Sequence, residues 1–195
     1  YQTYENCYGM IDISQTSGVK PKKPLLPPFH TLQNSHIEVT IDENGNFMDA
    51  SFIEDKNDRE IIIPCTEKSA SRTSGEEPHP LCDKIQYCAQ DYLGNKKSYF
   101  NSYIKILEEW YFFDKKNRFL HAIYSYVQKG TLYHDILSTG KEFGRPNKDS
   151  GDFLIRWKVN IPTISENRCW KNNQLFESWQ RFSESKESIE DICMV

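Results

Sequence analysis

The sequence lacks any apolar run near the roughly 20 residues that a membrane-spanning helix requires, and it shows no signal peptide. It also lacks a surplus of positive charge, since 24 Lys and Arg stand against 28 Asp and Glu. The formal net charge of −4 argues against a uniformly basic nucleic-acid binder. Its six cysteines are scattered, unlike a disulfide framework, so we expect reduced thiols in a cytoplasmic protein.

The usual signatures of catalytic and metal sites are also missing. His79, Cys82 and Cys88 are close in sequence, but no Cys-x-x-Cys pair accompanies them, and buried core cysteine is the better interpretation. Neither a phosphate-binding Gly-x-x-x-x-Gly-Lys-Ser/Thr loop nor a Gly-x-Ser-x-Gly nucleophile elbow occurs. We therefore predict no catalytic residue, no metal and no cofactor, and the protein is not expected to be an enzyme by itself.

What the sequence does contain is typical of a folded domain. Aromatic residues make up 13% of the chain and charged residues 27%, which provides large side chains for a core. The 195 residues suit one medium domain, or one domain and part of another. Because the chain starts with Tyr1 rather than Met and ends on an apolar run, we expect it to be a fragment.

The first 35 residues predict little regular structure. Tyrosines at helical spacing over residues 1–13 predict the end of an amphipathic helix. The prolines of residues 14–35 predict an extended connector.

Residues 36–64 predict a small antiparallel β-meander. Apolar and polar residues alternate from Ile37 to Ile41, and the Asn44-Gly45 pair that follows is a strong signal for a tight hairpin. Two further strands are expected over 47–53 and 59–64.

The remainder predicts a polar loop over 65–80 and a mainly helical section over 81–195, with one more strand near 153–158. Helices are expected from Leu81, from Tyr99, from Phe119 and from Leu132, and another over 166–182. The predicted fold class is therefore α+β, a small antiparallel β-meander followed by a mainly helical section.

The loop over 65–80 is the main candidate for contact with nucleic acid. Lysine and arginine can contact phosphates, hydroxyl groups can donate hydrogen bonds to them, and Gly75 allows close approach of the backbone. Acidic neighbours and the abundance of polar loops favour the alternative of ordinary structure. The candidate residues are Lys68, Ser69, Ser71, Arg72, Thr73 and Ser74.

Two further sets are weaker candidates. Lys20, Lys22 and Lys23 lie between prolines and could form a local positive surface. Gln33 and Asn34 carry amides that can read adenine, although turn formation before the strand is the simpler interpretation. The charge is uneven along the chain, because residues 96–158 hold twelve Lys and Arg against seven Asp and Glu.

Three segments resemble one known family. Residues 63–75 read IPCTEKSASRTSG, residues 78–87 read PHPLCDKIQY and residues 27–39 read PPFHTLQNSHIEV. With the later Asp42-x-x-Gly45-x-Phe47, they resemble the large subunit of the type I-C (Dvulg subtype) CRISPR Cascade surveillance complex. The resemblance covers most of residues 1–130 and, more faintly, Phe153 to Trp157, in what would be the N-terminal region of a longer protein.

The resemblance implies a non-catalytic subunit that helps to recognise a short protospacer-adjacent motif in duplex target DNA. The implied partners are the other Cascade subunits, the guide RNA, the target double-stranded DNA and a separately recruited helicase-nuclease. The alternative is a purely structural docking module that contacts other subunits without binding DNA. A nuclease would need a metal-binding carboxylate cluster, which the sequence does not reveal.

Overall fold

The computed structural model describes residues 25–73, 75–143 and 149–194. The helix predicted over 1–13 lies outside the described residues, as do the candidate residues Lys20, Lys22, Lys23 and Ser74.

Strands and helices alternate in groups along the described chain, and the predicted α+β class is confirmed. The strands are β1 (His30–Asn34), β2 (Ile37–Asp42), β3 (Phe47–Phe52), β4 (Glu60–Pro64) and β5 (Ile155–Asn160). The helices are α1 (Glu67–Ala70), α2 (Ile85–Cys88), α3 (Phe100–Phe113), α4 (Arg118–Val127), α5 (Leu132–Ser138) and α6 (Asn173–Cys193).

The predicted hairpin between β2 and β3 is confirmed. Gly45 has a φ of +76°, in the left-handed region that favours glycine. The Asp42 carboxylate accepts hydrogen bonds from the backbone N–H of Asn44 at 2.9 Å and of Asn46 at 2.8 Å. The turn therefore combines a glycine conformation with an Asp side chain that stabilises the tight reversal.

The third predicted strand does not extend this hairpin. β4 pairs antiparallel with β1 in a separate two-stranded sheet, and β5 joins β2 in parallel to give the order β3-β2-β5. The Arg59 guanidinium donates hydrogen bonds to the Ile53 carbonyl at 2.9 and 2.8 Å, which fixes the bend that leads the chain away from β3. β1 lies inside the segment predicted as an extended connector. It forms a strand there because its pairing with the distant β4 outweighs its weak local strand pattern.

The helix predicted from Leu81 to Tyr92 is reduced to the single turn of α2. The Leu81 carbonyl accepts hydrogen bonds from the Tyr103 hydroxyl at 2.7 Å and from the Trp157 indole at 2.9 Å. It is therefore occupied by side chains from distant elements. The apolar residues of this segment are nevertheless buried, so the pattern marked the core correctly and the conformation wrongly.

Helices α3, α4 and α5 lie where the periodicity predicts them. α6 begins later than predicted, because Asn172 accepts a hydrogen bond from the Leu175 N–H at 2.9 Å and caps the helix there. Trp110 on α3 meets Trp179 on α6 at a ring separation of 5.0 Å, and its indole donates to the Ser178 hydroxyl at 3.0 Å. These contacts attach the last helix to the core.

Candidate nucleic-acid interface

The segment predicted as a polar loop contains a short helix and is ordered by its own side chains. α1 begins with a capping box in which Ser69 N–H donates to the Thr66 hydroxyl at 3.0 Å. In return, Thr66 N–H donates to the Ser69 hydroxyl at 2.9 Å. The pair satisfies backbone donors that the first turn of a helix leaves free.

Arg72 turns inward rather than outward. Its two terminal nitrogens donate to the two Asp83 carboxylate oxygens at 2.8 and 2.9 Å, and one of them also donates to the Glu77 carbonyl at 2.6 Å. The Arg72 side chain is 9% exposed and that of Asp83 is 0% exposed. The guanidinium also lies over the Tyr87 ring, 4.4 Å from its centroid. Arg72 and Asp83 therefore form a buried bidentate ion pair, and Arg72 is not available for phosphate contact in this conformation.

Asp83 connects the two ends of the loop. Besides Arg72, its carboxylate accepts the backbone N–H of His79 at 2.7 Å and of Lys84 at 2.8 Å. Burial lowers the pKa of the Arg72 guanidinium, but the hydrogen bonds and charge of Asp83 outweigh burial and raise that pKa above its ordinary value. Asp83 is not among the residues predicted from the sequence, although it lies eleven residues after Arg72 within the segments that carry the family resemblance.

His79 and Ser69 meet, but not as a nucleophile and its base. The His79 Nδ1 atom lies 3.0 Å from the Ser69 hydroxyl oxygen, and both residues are buried. Burial lowers the pKa of His79 to about 4, so the imidazole is neutral near pH 7. Because Ser69 already serves in the cap of α1, this pair holds the loop together from inside.

Three of the loop candidates remain at the surface. The Lys68 side chain is 78% exposed, and its nearest acid is Glu77 at 3.9 Å. Ser71 and Thr73 are exposed, and the Ser71 hydroxyl bonds back to the carbonyls of α1 at 3.2 and 3.3 Å. The loop thus presents one lysine and two hydroxyl side chains on a backbone fixed by the Arg72–Asp83 pair.

An acidic groove runs beside this loop. It consists of two adjoining cavities that share Lys68, Ile106 and Lys186, with a floor that includes Phe29, Trp179 and Phe182. Its lining has more carboxylates than amines, which disfavours phosphate within the groove. The charged residues that line it are Glu67, Glu76, Glu77, Glu109, Glu187 and Glu190 against Lys68, Lys105 and Lys186.

Gln33 and Asn34 lie in β1 rather than in a turn, and the structure does not bring them to the loop. They pair with Ile61 and Glu60, whereas the loop follows the other end of β4. At about 3.3 Å per residue, the four steps along β4 separate the two candidates by roughly 13 Å of strand.

Within residues 25–73, 75–143 and 149–194, no three His, Cys, Asp or Glu side chains converge in a way that could hold a metal ion. In the same ranges, no helix is both long enough and apolar enough to cross a membrane. Cys82 and Cys88 are buried in the core, and burial raises the pKa of both thiols well above the ordinary value.

The fold is thus an α+β domain in which the buried Arg72–Asp83 ion pair joins the two ends of the loop that follows β4. The family model of the CRISPR-associated protein Cas_Csd1 matches residues 1–195. The chain therefore belongs to the Cas_Csd1 family of CRISPR-associated proteins, in agreement with the resemblance to the type I-C Cascade large subunit. A search of the curated proteins finds no match.

Proposed function

We propose that this chain is a non-catalytic part of a CRISPR RNA-guided surveillance complex of type I-C, where it contributes to target-DNA recognition and to assembly. Its partners would be the other Cascade subunits, the guide RNA, the target double-stranded DNA and a recruited helicase-nuclease. Membership of the Cas_Csd1 family supports the setting. The loop over 65–80, which the buried Arg72–Asp83 pair restrains and which exposes Lys68, supports the contact with DNA.

The observation that carries the proposal is the exposed Lys68 on a loop of fixed shape. A buried Arg72–Asp83 pair restricts the loop, so little entropy is lost when Lys68, Ser71 and Thr73 meet a phosphate. These residues suit backbone contact rather than base reading, because a lysine offers a point charge without the fork that recognises guanine. In this scheme Arg72 and Ser69 position the loop and do not touch DNA.

The test is the salt dependence of target-DNA binding by the assembled complex. Lys68→Ala should lower the log–log slope by about 0.9 for the one phosphate contact it removes. Lys56→Ala is the matched control, since Lys56 lies in the 3-10 turn (Lys56–Asp58) before the opposite end of β4. Arg72→Lys should lower thermal stability while leaving the slope unchanged, because lysine keeps the charge but cannot form the two parallel hydrogen bonds. An unaltered slope for Lys68→Ala would refute the proposed contact.

A second candidate function is the docking module without DNA contact, and the acidic groove favours it. The groove has an apolar floor, and three of its carboxylates, Glu67, Glu187 and Glu190, form no ion pair with any described residue. A basic segment of another subunit would complement that surface. Docking would be favoured if a Glu187→Gln, Glu190→Gln variant blocked assembly of the complex and Lys68→Ala left binding of target DNA unchanged.

A further inference from the structure

Two phenylalanine side chains are exposed at the C-terminal end of α3. Phe112 is 54% exposed and Phe113 is 45% exposed. No other Phe, Tyr or Trp among the described residues is exposed to this degree. Leaving two adjacent aromatic rings in water forgoes the stabilisation that burial would give, which points to a ligand that covers them.

Neighbouring rings hold both phenylalanines in place. The Phe112 ring lies 5.6 Å from the Tyr111 ring and 6.2 Å from the Tyr124 ring, measured between centroids. The Phe113 ring lies 5.4 Å from the Phe182 ring of α6. Each ring therefore packs against neighbouring rings, and about half of each residue remains exposed.

Two lysines stand next to these rings on a fixed turn. The Asn117 N–H donates to the Asp114 carbonyl at 3.1 Å, which closes a turn with Lys115 and Lys116 at its two central positions. The Asn117 side chain caps α4 and so anchors the far end of the turn. The Lys115 ammonium lies 4.9 Å from the Phe112 ring centroid.

The positive charge of this turn is not neutralised within the described chain. Lys115 and Lys116 are exposed and form no ion pair with a described residue. The nearest acid in sequence, Asp114, is paired with Arg181 at 3.3 Å. Two lysines without an acidic partner among the described residues, one of them over the Phe112 ring, follow two half-exposed phenylalanines. We call these four residues the aromatic–lysine patch (Phe112, Phe113, Lys115 and Lys116).

We propose that the aromatic–lysine patch binds single-stranded nucleic acid, with a base stacked on Phe112 or Phe113 and phosphates held by the two lysines. Stacking needs the open face of an unpaired base, which a duplex does not offer, while the lysines supply contacts to the backbone. The patch lies at the C-terminal end of α3 and adjoins the acidic groove, because Glu109 lines the groove and Phe182 of its floor packs against Phe113. This inference deepens the proposed function and rests on it, because it names a second nucleic-acid surface of the same subunit.

The test uses the full chain and a labelled oligothymidylate of roughly 16 nucleotides, compared with an abasic strand of the same length. A Phe112→Leu, Phe113→Leu variant keeps the apolar surface but loses the rings. It should bind the oligothymidylate about 5- to 150-fold more weakly for each stacked base that it loses. Phe112→Trp should bind at least as tightly as the wild type. Leu137→Ala, at another exposed apolar residue (55% exposed), should change nothing.

A lysine variant separates the two parts of the patch. Lys115→Ala and Lys116→Ala should each lower the salt slope by about 0.7 on the single strand. Equal binding of the abasic strand, or unchanged binding by the leucine variant, would overturn the inference. Loss of complex assembly without loss of oligonucleotide binding would also overturn it and assign the patch to a protein partner. If the patch variants leave oligonucleotide binding unchanged while Lys68→Ala weakens binding of duplex target DNA by the complex, this inference fails and the proposed function stands.

Discussion

The buried pair of Arg72 and Asp83 should make a large contribution to stability. In the variant Asp83→Asn, an amide replaces a carboxylate that is fully buried and accepts four hydrogen bonds. Removing one partner of a buried ion pair typically costs about 3–5 kcal/mol, because the other charge remains buried without compensation. The Asn side chain retains one acceptor, so we expect a loss near the lower end, about 3 kcal/mol.

The measurement is unfolding in urea, with thermal unfolding beside it. For a chain of this length a loss of about 3 kcal/mol corresponds to a decrease in Tm of roughly 6–12 °C. Glu76→Gln is the matched control on the same loop, since Glu76 pairs with Lys97 on the surface, where both side chains are more than half exposed. That control should cost less than about 1 kcal/mol. A decrease below about 1 kcal/mol for Asp83→Asn would refute the view that this pair fixes the loop.

Three further predictions concern stability and chemistry. Gly45→Ala should lower the free energy of unfolding by about 1–3 kcal/mol more than Gly140→Ala does. Both glycines have positive φ, but of the two only Gly45 would bring a Cβ to 2.8 Å from a backbone atom. Equal losses for the two variants would contradict this. In the folded chain His79 has a pKa of about 4, against an ordinary value of 6.5 that applies to the unfolded chain. Between pH 4 and 6.5 the unfolded chain therefore binds more protons at this residue than the folded chain does. The free energy of unfolding should fall as the pH falls from 6.5 to 4. His79→Asn should lack this component, which is at most about 1.4 kcal/mol per pH unit, and parallel pH profiles of urea unfolding would contradict it. Finally, the purified chain should leave DNA, RNA and ATP intact with Mg²⁺ or Mn²⁺, whereas cleavage abolished by a point mutation would show an active site.

Structural features that depend on residues close together in the sequence were predictable. The Asn44-Gly45 hairpin depends on two adjacent residues, and α3 and α4 follow from an apolar period that no distant contact disturbs. The pairing of β1 with β4 was not predictable, because it joins residues about 30 positions apart and β1 has a weak pattern of its own. The predicted helix from Leu81 failed because Tyr103 and Trp157 occupy the Leu81 carbonyl from elsewhere in the chain.

Composition led to the segment over 65–80 as the candidate site, but the role of Arg72 could not be assigned from composition. An arginine fork fits a phosphate and a buried carboxylate equally well, and only the fold brings Asp83 to Arg72. Lys68 was predicted to contact phosphate, and this contact stays a prediction. The exposure of Phe112 and Phe113 could have been predicted from the sequence, since both fall outside the apolar face of α3 and two lysines follow shortly after them.

The most direct test of the central claim compares the type I-C complex assembled with and without the protein that carries this chain. Binding would be measured on two duplexes that share the guide-matched sequence and differ only in the protospacer-adjacent motif. We predict that the complete complex discriminates between the two duplexes and that the complex without this protein does not. Equal discrimination by both complexes would contradict a role in target-DNA recognition.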